Sequence, residues 1–144
     1  MENRPFTVQK EFTATPEEIW DAITSRVKMK EWYFDIPDFE LREGAVFNFF
    51  EPGGENKFHH QCKITKVVPR KLFQHTWTYP GFSKGVTMVT WEIDPSEGGS
   101  TVTLTHDGIE NILDGGEAFQ PENFAAGWTE ILGSSLMNFV TGKN

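Results

Sequence analysis

The 144-residue chain has one cysteine, few basic residues and no uninterrupted apolar stretch. Each shortage closes off a class of protein. The lone Cys62 cannot form an internal disulfide. Crossing a bilayer takes roughly 18 or more consecutive apolar residues, so membrane insertion is not expected. No charged leader with an apolar centre precedes Phe6, and with an unpaired thiol this points to a reducing cytoplasm. Thirteen Lys and Arg stand against 21 Asp and Glu, for a formal net charge of −8 and a pI near 4.9. Phosphate backbones are held by Lys and Arg that displace counterions, so a nucleic-acid partner is not expected either. Repeats, charged blocks and low-complexity linkers are also missing, which leaves a single domain, 1–144, burying roughly two-thirds of its unfolded surface.

What the chain does have is rings. Apolar residues make up 38% of it, an ordinary to low share, but 13 Phe and 5 Trp shift the buried volume toward large flat side chains. Each ring hides roughly 150–250 Å². Such side chains fill space coarsely and leave grooves more readily than Val and Leu do, although a filled core is the alternative for any single ring.

Phe6 to Thr13 alternates, with Phe6, Val8 and Phe12 on one face, as in a half-buried strand. Thr15-Pro16-Glu17-Glu18 then starts a helix, with a hydroxyl N-cap, proline at the first helical position and a carboxylate to complete a capping box. Ile19, Trp20 and Ile23 give that helix its buried side. A second helical turn spans Val27 to Phe34 and ends before Pro37. From Phe39 to His106 five or six strands alternate with turn residues. Phe39-Glu40-Leu41 leads through Gly44 into Ala45–Glu51; Pro52–Asn56 turns into Lys57–Val68; Pro69–Lys71 turns into Leu72–Tyr79; Val86–Asp94 and Thr101–His106 follow. Connections this short favour antiparallel neighbours. Ile109 to Gln120 is weakly patterned and long enough to cover an opening. Pro121 to about Val140 forms a long amphipathic helix whose stripe of Phe124, Trp128, Ile131, Leu132, Leu136 and Phe139 requires an apolar partner, which the strands supply. The class is α+β.

This order resembles the START-like, helix-grip superfamily, and within it the family called activator of heat-shock protein 90 ATPase homologue-like. The resemblance is carried by Thr15-Pro16-Glu17-Glu18-Ile19-Trp20, Trp32, Glu43-Gly44, Ile64–Pro69 with Leu72 to Trp77, Gly99–His106, and Gly127-Trp128. It implies a curved antiparallel sheet wrapped around the C-terminal helix, with two short helices after the first strand. In many relatives an internal cavity accepts an apolar small molecule. The family name also implies a chaperone partner and a stress-response setting, but the chain has no room for the additional chaperone-binding domain of two-domain relatives.

Strand parity selects the candidate lining residues. Phe73, His75, Trp77 and Tyr79 share a face, as do His60, Cys62 and Ile64, and Val102, Leu104 and His106. Phe47 and Phe49 oppose Val46 and Phe50, and parity alone leaves open which pair is inside. Candidate ligand-binding residues are Phe47, Phe49, Phe58, His60, Phe73, His75 and Trp77 on the early strands. Met88, Trp91, Leu104 and His106 on the later strands join them, with Trp128, Leu132 and Leu136 on the last helix. Each histidine has a bland alternative, capping a core neighbour or reaching solvent. His59 and His60 point to opposite faces and cannot share a metal ion, and His60 with Cys62 is two ligands short of a closed zinc site, so neither metal nor other cofactor is expected. Cys62 near His60 or His75 could form a nucleophilic pair, but a small buried thiol is the simpler reading. The carboxylate pairs Asp35/Asp38 and Glu110/Asp114 read as solvated surface. Trp20, Trp32 and Trp128 pack where the helices meet or rim a cavity mouth. Gly127 within a helix suggests close approach to the sheet or a bend, and Gly133 the same.

The leading expectation is non-catalytic binding of an apolar or amphipathic small molecule, lipid-like or aromatic, between sheet and C-terminal helix. A chaperone-associated interaction module is the alternative, and a cyclase or aromatase-type enzyme using a cavity His or Tyr is the second alternative. The expected state is a monomer or weak homodimer.

Overall fold

The structure, a computed structural model, describes residues 5–33, 36–50, 59–115 and 121–141. Phe34, Asp35, the turn at 52–56 and the candidate Phe58 lie outside the described residues. Six strands form one antiparallel sheet: β1 (Phe6–Phe12), β2 (Val46–Phe50), β3 (His59–Val68), β4 (Leu72–Trp77), β5 (Thr87–Ser96) and β6 (Gly99–Asp107). Their spatial order is β1-β6-β5-β4-β3-β2. The connections from β2 to β6 are all too short for a parallel crossover, which accounts for their antiparallel order. The remaining pairing sets the first strand against the last: Phe6 lies opposite His106 and Phe12 opposite Ser100. Residues 39–41, expected to lead into the strands, form no strand themselves.

Two short helices follow β1. In α1 (Pro16–Thr24), Thr15 Oγ1 accepts from the Glu18 amide at 3.1 Å and Glu18 Oε1 accepts from the Thr15 amide at 2.9 Å, completing the capping box. Ser25 then serves twice. Its amide donates to Asp21 O at the end of α1, and its hydroxyl accepts from Lys28 at the start of α2 (Arg26–Trp32). One extended residue therefore turns the chain between the helices. The Trp32 indole N–H donates to the Ala22 carbonyl at 2.8 Å and ties α2 back onto α1.

Curvature enters at β3. Ile64 faces His75 and Lys66 faces Gln74, so Thr65 is an extra residue and the strand bulges there. A bulge bends its strand and increases local twist, which folds the inner face of the sheet around whatever it covers.

After a 3₁₀ helix (Ile109–Gly115), the C-terminal helix runs as α3 (Pro121–Glu130), a π-helical stretch (Ile131–Leu136) and α4 (Met137–Thr141). The sequence pattern anticipates the helix but not the π turn. Trp128, Leu132 and Leu136 are its buried residues. In an α-helix of about 3.6 residues per turn, each four-residue step overshoots the stripe. The wider π turns undershoot it, returning Leu136 beneath the sheet. Among the described residues, no helix is long and apolar enough to cross a membrane.

Gly127 does not approach the sheet. It is exposed, and a Cβ there would meet nothing within 4 Å; one at Gly133 would lie 3.7 Å from Lys10 Cε, an ordinary contact. Close approach occurs at Gly99 instead, where a Cβ would collide with the Phe12 carbonyl oxygen. Gly127→Ala is therefore expected to raise stability by about 1 kcal/mol, the helix-propensity difference. Gly99→Ala is expected to lower it by about 1–3 kcal/mol through overpacking. Urea unfolding of the two variants beside the parent checks both signs.

Candidate functional site

The inner face of the sheet is lined by rings. Phe47 and Phe49 point inward at 3% and 2% exposure, whereas Val46 and Phe50 are exposed, which settles the orientation of β2. Cross-strand register sets their partners: Phe49 opposes His60 and Phe47 opposes Cys62. The Phe49 and His60 rings stack at 4.5 Å, and Trp77 stands edge-on to both, at 5.6 and 5.1 Å. His59 turns outward, where its Nε2 meets Asn48 Oδ1 at 2.8 Å and its ring stacks on Phe50.

Among the candidates, Phe47, Phe49, His60, Phe73, His75, Trp77, Trp91, Leu104, His106, Trp128, Leu132 and Leu136 are all buried. Met88 is a correction. It sits between the inward Thr87 and Val89, so pleating places it on the outer face, where Thr65 Oγ1 lies 3.8 Å from its sulfur. Met88 and Trp91 have opposite parity on one strand and could not both line the interior.

The buried candidates separate into two groups. Beneath α3, Trp128 packs on Trp77 at 5.2 Å and Trp91 at 6.0 Å. Its indole N–H donates to His106 Nδ1 at 3.0 Å. Because an indole N–H can only donate, His106 carries its proton on Nε2 and donates it to Thr87 Oγ1 at 2.7 Å; that hydroxyl donates in turn to the Trp77 carbonyl at 2.7 Å. Trp77 Nε1 donates to the Tyr79 hydroxyl at 2.8 Å. Leu104, Leu132 and Leu136, each fully buried, fill the remainder of this side. The space expected between sheet and C-terminal helix is thus occupied here by rings and their hydrogen bonds.

The second group lies under α1 and α2. An enclosed pocket there is lined by Ile23, Met29, Trp32, Tyr33, Ile36, Phe39, Phe47, Phe73, His75 and Trp91, with a volume of about 10 Å³. That is room for a single water or hydroxyl. Its floor of Phe47, Phe73, His75 and Trp91 is buried, while its outer wall of Trp32, Tyr33 and Phe39 is half-buried. Trp32 stacks on Tyr33 at 5.0 Å, and both stand edge-on to Trp91 at 6.5 Å. Phe39 meets Phe47 at 5.2 Å and Phe73 at 6.1 Å. For Trp32 the sequence offers packing between helices or a cavity rim, and it does not single out Tyr33, Ile36 or Phe39. The available signal was the dense aromatic run that begins at Trp32, just past a short helix.

Burial disfavours the charged forms of His75, His106, Tyr33 and Cys62. Burial lowers His75 to about 4, against the opposing pull of its hydrogen bond to the Thr76 carbonyl. Burial, then proximity to His75, lowers His106 to about 3. Burial pushes the Tyr33 phenol up, with Cys62 and Tyr79 adding to the effect, and it pushes the fully enclosed Cys62 thiol up as well. A thiol held in its protonated form is a poor nucleophile. Two of the candidate carboxylates have structural partners: Asp38 accepts from the Asn48 amide and side chain, both at 2.9 Å, and Asp114 accepts from Ser83 at 2.6 Å.

Two outcomes follow for stability. In the unfolded chain His75 and His106 titrate near 6.5. Between that value and about 3–4 the unfolded state binds protons that the folded state refuses, so stability is expected to be full above about pH 6.5, to fall as pH drops, and to level near pH 3. Urea midpoints at pH 7.5, 6.0 and 5.0 read this above the main carboxylate range. Thr87→Val keeps the shape but strands the His106 N–H and the Trp77 carbonyl, and is expected to cost about 1–3 kcal/mol in the same assay.

The profile of the family described as Activator of Hsp90 ATPase homolog 1-like protein matches residues 13–141. Solved structures share the fold. A protein of Mesorhizobium loti is similar at TM-score 0.81 and 21% identity, over 98% of this chain and 99% of that one. One of Chromobacterium violaceum reaches 0.79 at 19% identity, covering 96% and 98%. A protein of Bacillus halodurans reaches 0.76 at 21% identity, covering 97% and 99%. None of the curated proteins matches the chain.

Proposed function

The chain belongs to the activator of Hsp90 ATPase homolog 1-like family, and we propose that it binds an apolar or amphipathic small molecule, lipid-like or aromatic, in the ring-lined interior without transforming it. The observation that carries this reading is the pocket under α1 and α2, whose buried aromatic floor is closed by a half-buried aromatic wall. At about 10 Å³ the pocket is a starting point that a guest must widen. Widening separates Trp32, Tyr33 and Phe39 from the floor, and each aromatic pair lost costs about 0.5–1.5 kcal/mol. A flat guest offers the same rings the same contacts in return. Neutral His75 and His106 suit this role because uncharged rings do not penalise an apolar occupant. With the thiol protonated and enclosed, nothing here favours a nucleophilic step.

Trp32 and Trp91 line the pocket, so a guest is expected to quench indole emission and raise the melting temperature. A ligand at 100 times its dissociation constant adds about 2.7 kcal/mol. Native mass spectrometry and thermal melts against a panel of lipids and aromatic metabolites provide the measurement. Phe73→Trp, which overfills the floor, is expected to weaken any hit at least tenfold. A panel with no bound species, no quenching and no melting shift would sink the carrier reading.

A further inference from the structure

His75 is placed differently from His106. His106 uses both ring nitrogens, one toward Trp128 and one toward Thr87. His75 is 3% exposed, lines the pocket, and engages only Nδ1, which lies 2.9 Å from the Thr76 carbonyl oxygen. A carbonyl oxygen can only accept, so Nδ1 carries the single proton of the neutral ring. Nε2 is consequently a bare acceptor, and no described residue donates to it. It is the distal nitrogen of a ring whose proximal nitrogen turns to its own strand, and the space beside His75 is the size of one hydroxyl. An acceptor that meets no donor beside a pocket gives a guest's donor a partner to gain.

Building on the carrier reading, we infer that the guest is an aromatic molecule bearing a hydroxyl or N–H donor, which takes the preformed space and donates to His75 Nε2. Its ring body takes the place of the wall formed by Trp32, Tyr33 and Phe39. The same geometry selects against ligands whose polar end only accepts. A ketone, an ether or a carboxylate sets lone pair against lone pair, and a carboxylate also brings an unpaired charge into a buried pocket. Phenols, indoles and sterol-like alcohols with a flat ring meet the requirement; fatty-acid anions do not.

Comparing 2-naphthol with 2-methylnaphthalene tests this, because the pair differs by a hydroxyl in place of a methyl at nearly constant size. Indole quenching gives both dissociation constants, and long-range ¹⁵N spectra of the histidine rings report on Nε2. The expected result is 2-naphthol binding about tenfold tighter, with the His75 Nε2 resonance moving only for the naphthol. In His75→Phe the ratio of the two affinities is expected to collapse toward one. If that variant does not fold, the parent's affinity ratio and ¹⁵N shift decide the matter. Equal binding, or tighter binding of the hydrocarbon with Nε2 unmoved, overturns the donor requirement and leaves the carrier reading intact. Failure of both compounds to bind overturns the aromatic-donor inference, while the carrier reading falls only if the full panel of lipids and aromatic metabolites is also blank.

Discussion

The structure depends on a hydrogen-bond chain running from the last helix into the sheet: Trp128 to His106, His106 to Thr87, Thr87 to the Trp77 carbonyl. It links α3 to three consecutive strands, β6, β5 and β4, and it leaves no polar atom of His106 unpaired. Low dielectric strengthens each bond and makes any missing one costly, so the chain holds the helix at one rotation and one depth. The bulge at Thr65 and the π stretch at Ile131–Leu136 are consistent with that anchor. One bends the sheet around the helix, and the other keeps Leu132 and Leu136 under the sheet beyond Trp128.

The anchor also determines where open space is found. Trp128 presses on Trp77 and Trp91, and the leucines complete the packing beneath the C-terminal helix. Beneath α1 and α2 the packing is looser, because the wall is made of Trp32, Tyr33 and Phe39, three rings from a helix end and the chain beyond it. Large planar groups meeting edge to face leave gaps that branched aliphatic side chains would close. The interior therefore has a polar, fully bonded side that holds the fold and an aromatic side with a small void and an open acceptor. His75 on β4 and His106 on β6, one strand apart in the sheet, have opposite roles because His106 has hydrogen-bond partners within reach at both nitrogens and His75 at only one.

Much of this was legible before any coordinates. The capping box at Thr15 and Glu18, the alternation of Phe73, His75 and Trp77, and the burial of His60, Cys62 and Ile64 follow from spacing, and each was read in place. Parity also exposes the error at Met88, since two residues an odd number apart on a regular strand cannot share a face. Gly127 misled for a different reason. Its spacing next to Trp128 suggested contact, but rotation about the helix axis turns the neighbour of a buried residue toward solvent. Tyr33 and Phe39 stand at the margins of the expected elements, Tyr33 capping α2 and Phe39 in no strand, so a repeat gives their side chains no direction.

Sequence alone determined the α+β class, the antiparallel run of β2 to β6, which residues of β3, β4 and β6 share a face, and a core rich in rings. These follow from local rules: pleat alternation, helix periodicity, turn length and capping, all acting within a few residues. Only the tertiary structure decided that β1 closes against β6, that Phe47 and Phe49 face inward, that the enclosed pocket lies under α1 and α2, and which nitrogen of each histidine carries its proton. Those outcomes depend on atoms far apart in the chain that meet only after the sheet has curved. Gaps between rings and hydrogen-bond donors across a core have no counterpart in sequence spacing.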